Sequence, residues 1–307
     1  MDMNKTEGLI AAPFTPMKKD GSLNLPVIEK YADKLKADGL SGVFVCGTTG
    51  EGMLMTLDER MEVAKSWMKH QTADFKVIVH VGTTSFRQSR ELAQHAVSIG
   101  AYGTGCMGPV FLPPGRVEEL VGFCVEVAAG APDLPFYYYH IPSVSGVRLP
   151  MIDFIRQGKK QIPNLAGIKF TDNNFLDMAQ CIDADEGKWD ILHGFDELLL
   201  AGLTYGIRGA VGSTYNFMAP LYLKMMGDFD SGKLSAARER QAYSRKVVGV
   251  LNKYGGAIPA GKALMKWAGV DCGPSRFPIQ TVSEKMYRNL VKDMEQLSSF
   301  MPGNSGA

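Results

Sequence analysis

No stretch of this 307-residue chain approaches ~18 consecutive apolar residues, so no segment is expected to span a membrane. No CxxC pair occurs either. The five cysteines (Cys46, Cys106, Cys124, Cys181 and Cys272) are odd in number and scattered, which argues against a disulfide framework or a structural zinc site and for a reducing compartment. Charge of one sign is also missing. With 33 basic and 32 acidic residues the net charge is +1, and no Lys/Arg block is interleaved with aromatics, so no nucleic-acid surface is expected. The five histidines show no metal-ligand spacing, and no G-x-S-x-G nucleophile elbow is present. His80, His140 and His193 are expected to satisfy local hydrogen bonds. The opening MDMNKTEGLIAAPF holds acidic residues and too short an apolar run for a signal peptide. The expectation is a soluble, cytoplasmic protein that meets neither nucleic acid nor membrane.

What is present is an ordinary globular composition, 45% hydrophobic and 21% charged, on a chain long enough for a large core. Short apolar, β-branched or aromatic runs predict strands at 8–14, 42–47, 76–82, 102–108, 135–141, 165–170, 189–194 and 209–213. Helical periodicity lies between them, as in 25–39, 57–70, 86–100 and 116–129. Eight strands alternating with helices favour a closed (β/α)8 TIM barrel over an open doubly wound sheet. Strand signals stop near residue 215. Residues 220–230 are read as the last barrel helix, with residues 1–230 carrying the active site. Residues 231–307 are read as a C-terminal helical extension packed on the barrel, ending in a frayed PGNSGA.

Active sites of such barrels lie at the carboxyl ends of the strands. Lys76 begins its strand and belongs to the opposite, stabilising face. Lys169, in NLAGIKFTDNN, sits near the end of strand six. Alternation puts Gly167, Lys169 and Thr171 on one side and Ile168 and Phe170 on the other, so Lys169 is expected to point into the mouth. Several accounts of it stand side by side. It pairs with Asp172 or Asp177 as a structural ion pair, or the strand ends one residue earlier, or it is a neutral amine poised for imine formation, which burial can bring about.

The other motifs also have double readings. Thr48-Thr49-Gly50-Glu51 fits a helix-capping box, and the same Gly-flanked turn can cradle a carboxylate with Thr48 and Thr49 while Glu51 is structural. In PFYYYHIPSVSG, Tyr137 and Tyr139 share one face, with Tyr138 and His140 on the other. Tyr139 is a packing residue or a proton shuttle at the strand's carboxyl end. Asp196 and Glu197 suit a helix macrodipole or accept hydrogen bonds from substrate hydroxyls. After strand eight, the Gly212 backbone and Ser213 hydroxyl make a tight polar loop or a substrate contact. GTGCMG (103–108) matches G-x-G-x-x-G, but PVFLPPG follows in place of a helix, so a dinucleotide site is not expected.

Taken together, GTTGE (47–51), YHIPSVSG (139–146), GIKFTD (167–172), HGFDE (193–197) and VGSTYN (211–216) resemble the pyruvate-dependent class I aldolases of the dihydrodipicolinate synthase and N-acetylneuraminate lyase family. The likeness runs over nearly the whole chain. It implies a (β/α)8 barrel with a C-terminal helical region, commonly tetrameric and without metal or organic cofactor. It further implies Lys169 as the Schiff-base lysine, Tyr139 as proton relay, and Thr48 and Thr49 as holders of the substrate carboxylate. Synthases of this family usually carry an arginine where Val144 stands here, which disfavours a dicarboxylate-forming condensation. FYYYHIP with GFDE and VGSTYN looks most like the sialic acid lyases, particularly the animal-type branch. There the counterparts of Thr171, Gly194, Asp196, Glu197, Gly212 and Ser213 line the sugar-tail site. The implied reaction is reversible cleavage of N-acetylneuraminate to N-acetylmannosamine and pyruvate. Its rivals are cleavage of another 2-keto-3-deoxy sugar acid and a non-catalytic sugar-acid-binding barrel. Two departures stand out: Thr48 replaces the serine of many bacterial lyases, and Phe111-Leu112 replaces a tyrosine pair.

Overall fold

The computed structural model describes residues 5–298; the PGNSGA tail lies outside them. Eight parallel strands close into a barrel in chain order. They are β1 (Gly8–Ala11), β2 (Gly42–Val45), β3 (Lys76–His80), β4 (Gly103–Cys106), β5 (Phe136–His140), β6 (Leu165–Phe170), β7 (Asp190–His193) and β8 (Gly209–Gly212). The closing seam pairs Gly8 with Gly209 and Ala11 with Gly212. Every predicted strand exists. Most are shorter than their apolar runs, because the last residues of each run leave the ladder and form the loops at the mouth.

The helices are α1 (Val27–Ala37), α2 (Leu57–Met68), α3 (Phe86–Ser98), α4 (Val117–Ala128), α5 (Pro142–Ser145), α6 (Met151–Gly158), α7 (Phe175–Gly187), α8 (Leu199–Thr204) and α9 (Tyr215–Asp230), followed by α10 (Leu234–Lys253), α11 (Ala257–Trp267) and α12 (Glu284–Ser298). Helix α9 begins five residues before the expected start. Pro220 lies inside it, where it cannot donate to the carbonyl one turn back. GTGCMG lies mostly within β4 and opens no helix.

Two apolar layers result from strand alternation. Ile168, Phe170 and Tyr138 pack outward with the helices. Ile10, Phe44, Ile78, Tyr137, Tyr139 and Val211 fill the barrel. Tyr137 and Tyr139, two residues apart on one face, do different work. Tyr137 closes the bottom, its hydroxyl donating to Asp190 at 2.9 Å, while Tyr139 reaches the top. Strand β6 breaks its own alternation once. The register between β5 and β6 shifts between Phe136 and Tyr137, which pair with Leu165 and Gly167. This bulge lets Leu165 pack outward and Ala166 inward, while Lys169 still points into the barrel.

Candidate active site

Lys169 and Tyr139 are direct register partners across β5 and β6. The ammonium nitrogen lies 4.0 Å from the centre of the Tyr139 ring and 4.3 Å from that of Phe44. The residue is 4% exposed. Neither aspartate offered as a structural partner reaches it. Asp177 instead accepts the backbone N–H groups of Met151 and Ile152 at 2.8 and 3.0 Å, capping α6. Asp172 faces His140, 3.6 Å from Nε2. The ion-pair account of Lys169 is thereby set aside. Burial brings its pKa down from 10.5 to about 7, opposed only by the charge of Asp196. The aromatic faces would favour an ammonium by about 0.5–2 kcal/mol, so desolvation is the larger effect.

All ten residues singled out from the sequence line one cavity of about 270 Å³ over Lys169: Thr48, Thr49, Tyr139, Lys169, Thr171, Gly194, Asp196, Glu197, Gly212 and Ser213. Tyr139 is buried, which raises its phenol to about 12; its oxygen lies 3.5 Å from the Thr48 hydroxyl, long for a hydrogen bond. Asp196 is held by Thr214, whose N–H and hydroxyl both donate to the same carboxylate oxygen at 2.6 Å. Burial still lifts its pKa to about 6. Two glycines are required by close approach. A Cβ on Gly194 would fall 1.8 Å from the Thr171 hydroxyl, and one on Gly212 would fall 1.8 Å from the Asp196 carboxylate.

Among the described residues, Lys169 is the cavity's only cationic side chain, against two carboxylates, Asp196 and Glu197. Val144 is 51% exposed on α5 and does not line the cavity, nor do Phe111 and Leu112, which are exposed. The expected capping box at 48–51 is absent. Glu51 has left-handed backbone angles and no helix starts at Gly50; a capping box is formed further along by Thr56 and Glu59, at the start of α2. The structural role foreseen for Glu51 is present, in a buried pair with Lys262 at 2.7 Å. No group of three or more potential metal ligands occurs among the described residues, and no described helix is long and apolar enough to cross a membrane.

Sequence reasoning missed part of the wall. Thr214, within VGSTYN, orients Asp196. Val248, Leu251 and Asn252 of α10, with Ala257 of α11, close the cavity from the C-terminal helices. These four carry no local motif. Gln241 of α10 fixes that placement, donating to the Asp196 carbonyl at 3.1 Å and accepting the Leu200 N–H at 2.7 Å.

A closed barrel with an unpaired lysine and a phenol at its mouth has the architecture of the lysine-dependent carbon–carbon lyases. The model of the dihydrodipicolinate synthetase family matches residues 5–297, and the chain belongs to that family. It is 38% identical to the N-acetylneuraminate lyase of Rattus norvegicus over 298 residues, which are 96% of this chain and 93% of the rat protein. It is 40% identical to the human N-acetylneuraminate lyase over 285 residues, 92% of this chain and 89% of that one. The solved N-acetylneuraminate lyase of Proteus mirabilis superposes with a TM-score of 0.93 at 38% identity, covering 96% of this chain and 99% of its own.

Proposed function

We propose that this protein is an aldol lyase that reversibly cleaves N-acetylneuraminate to N-acetylmannosamine and pyruvate through an imine on Lys169. The observation that carries the reading is the charge layout of the mouth. One buried amine without an ion-pair partner shares the lining with two threonines and two carboxylates, and among the described residues the lining holds no second cation. Such a cavity suits a substrate with one carboxylate and a neutral, hydroxylated tail. It disfavours a dicarboxylate, for which an arginine would be needed. The similarity to N-acetylneuraminate lyases over nearly the full chain supports the same substrate.

Near neutral pH about half of Lys169 is the free amine, matched to nucleophilic attack. Its nitrogen adds to the C2 keto carbon of the open-chain sugar acid, and loss of water from the carbinolamine leaves an iminium. The C3–C4 electron pair flows into that iminium as an enamine while the C4 hydroxyl loses its proton and becomes the aldehyde of the amino sugar. Tyr139, with a pKa near 12, is protonated at neutral pH and is no standing base. It therefore relays: it takes the C4 proton as it gives its own to the substrate carboxylate held by Thr48 and Thr49. That proton then goes to C3 of the enamine, and water releases pyruvate and restores the amine. Thr171, Gly194, Asp196, Glu197, Gly212 and Ser213 select the tail. The acting form is taken to be a cytoplasmic homotetramer. Family resemblance, buried free cysteines and the apolar surface of Phe111 (91% exposed) and Leu112 support this.

Borohydride reduction in the presence of pyruvate, followed by peptide mapping, is expected to place a stable adduct on Lys169. Its absence there overturns the aldolase reading. N-acetylneuraminate should then be turned over faster than 2-keto-3-deoxygluconate; equal or better cleavage of the latter overturns the sialic acid assignment alone.

A further inference from the structure

Glu51 follows directly on the Thr48-Thr49-Gly50 turn, yet its side chain points away from solvent altogether, 0% exposed against 1% for Lys262. Both of its oxygens are used. One accepts from the Lys262 ammonium of α11 at 2.7 Å and the other from the Arg276 N–H at 2.5 Å. The Arg276 guanidinium in turn forks onto Glu59 at 2.5 and 2.8 Å. The Glu51 backbone is left-handed, φ 57° and ψ 30°, a conformation that an L side chain adopts only where its surroundings hold it there. From that position its N–H donates to the Thr48 carbonyl at 3.0 Å, and the Gly52 N–H donates to Gly47 at 3.1 Å. The Thr15 hydroxyl ties down the Gly50 carbonyl at 2.6 Å. A well-packed apolar pair of similar volume is commonly as stabilising as a buried ion pair. Stability alone therefore does not account for charges here.

We propose that the Glu51–Lys262 pair is a positioning device for the carboxylate-binding turn, so that a residue of the C-terminal helices sets the affinity of the barrel mouth for the substrate's carboxylate. Lys262 and Glu51 touch no substrate; they act through the Thr48 carbonyl and the left-handed backbone that presents Thr48 and Thr49. The inference rests on the proposed imine chemistry, which supplies its measurement.

The test is saturation of borohydride trapping at Lys169 by two ketones, pyruvate and the carboxylate-free pyruvamide, in wild type and Lys262→Met. In the variant, half-saturating pyruvate should rise about tenfold, the size of one lost charge-assisted hydrogen bond. Half-saturating pyruvamide and the trapping plateau should stay unchanged. An equal shift for both ketones, or a shift for neither, overturns the proposal, because general loosening of the fold would not discriminate between them. Should Lys262→Met not fold, Glu51→Gln keeps the side-chain volume and the acceptor for Arg276, and the same ketone-selective shift is expected. A wild type that traps neither ketone overturns the reading of Lys169 and this one with it.

Discussion

Two lysines of this chain are almost entirely out of solvent, Lys169 at 4% and Lys262 at 2% exposure, and the protein treats them in opposite ways. Lys262 has a carboxylate at 2.7 Å and sits in a network that ties α11 to the loop after β2. Lys169 has two aromatic rings and an open cavity instead, and its nearest charged influence, Asp196, does not offset the cost of burial. A buried ammonium is expensive unless paired. Burial lowers the pKa of both; at Lys262 the Glu51 carboxylate opposes that fall and makes a structural part, whereas at Lys169, with no such partner, the fall reaches about 7 and favours a free amine. Burial by itself distinguishes nothing, and the deciding feature is the group at the end of the side chain.

The largest expected effects test this contrast at Lys169. Replacement by Met should abolish turnover of N-acetylneuraminate and, at the same time, raise stability at neutral pH. The sign follows from linkage. The folded pKa near 7 lies below the unfolded 10.5, so between these values the unfolded chain binds more protons and wild-type stability increases as pH rises. Lys169→Met lacks that term. Its advantage, on the order of a few kcal/mol near pH 7, should shrink towards pH 10 in urea melts at successive pH values. A variant less stable than wild type at pH 7 would break the comparison, since it would mean that Lys169 has a stabilising partner after all.

Lys262→Met should move stability the other way. Removing one member of a buried pair leaves Glu51 uncompensated, with an expected loss of about 3–5 kcal/mol. Replacing both members by Glu51→Gln with Lys262→Met should recover part of it, because no lone charge remains. Denaturant midpoints of the single and double variants measure this. A double variant no better than the single one would show that the pair is not coupled.

These two lysines also mark where the sequence was legible. Lys169 could be read because its signals are local: an apolar strand, a period of two, and a barrel whose carboxyl ends carry the chemistry. The same short-range logic found Tyr139, its neighbour in register, and the loop residues after β2, β7 and β8, all of which line one cavity. The β6 bulge at Ala166 left no local mark, and the alternation around Lys169 holds in spite of it. Lys262 could not be read. Within KALMKWAG it is one more helix lysine, and its partner lies 211 residues away. Only tertiary packing reveals that Glu51 is paired rather than capping a helix, or that Val248, Leu251 and Asn252 complete a wall of the mouth. Signals carried by adjacent residues survive in the sequence, whereas partnerships between distant elements do not.

The smallest expected effect completes the comparison with a lysine that has a partner but no burial. Lys253, in the last turn of α10, is 62% exposed and bonds Asp293 at 2.7 Å, nearly the same distance as the Lys262 pair. Solvent screens such a pair, and ordering its long side chain offsets most of the attraction. Lys253→Met should therefore leave the melting temperature within about 2 °C of wild type, with no change in turnover. Calorimetry beside Lys262→Met makes the contrast direct. Two ion pairs of equal length should differ greatly in consequence, because the cost of leaving Glu51 in a dry interior without its cation, held only by the Arg276 N–H, has no counterpart at Asp293, which water and the Tyr254 hydroxyl at 2.8 Å can still satisfy. A large loss at Lys253 would make contact distance, and not desolvation, the variable that separates the lysines of this protein.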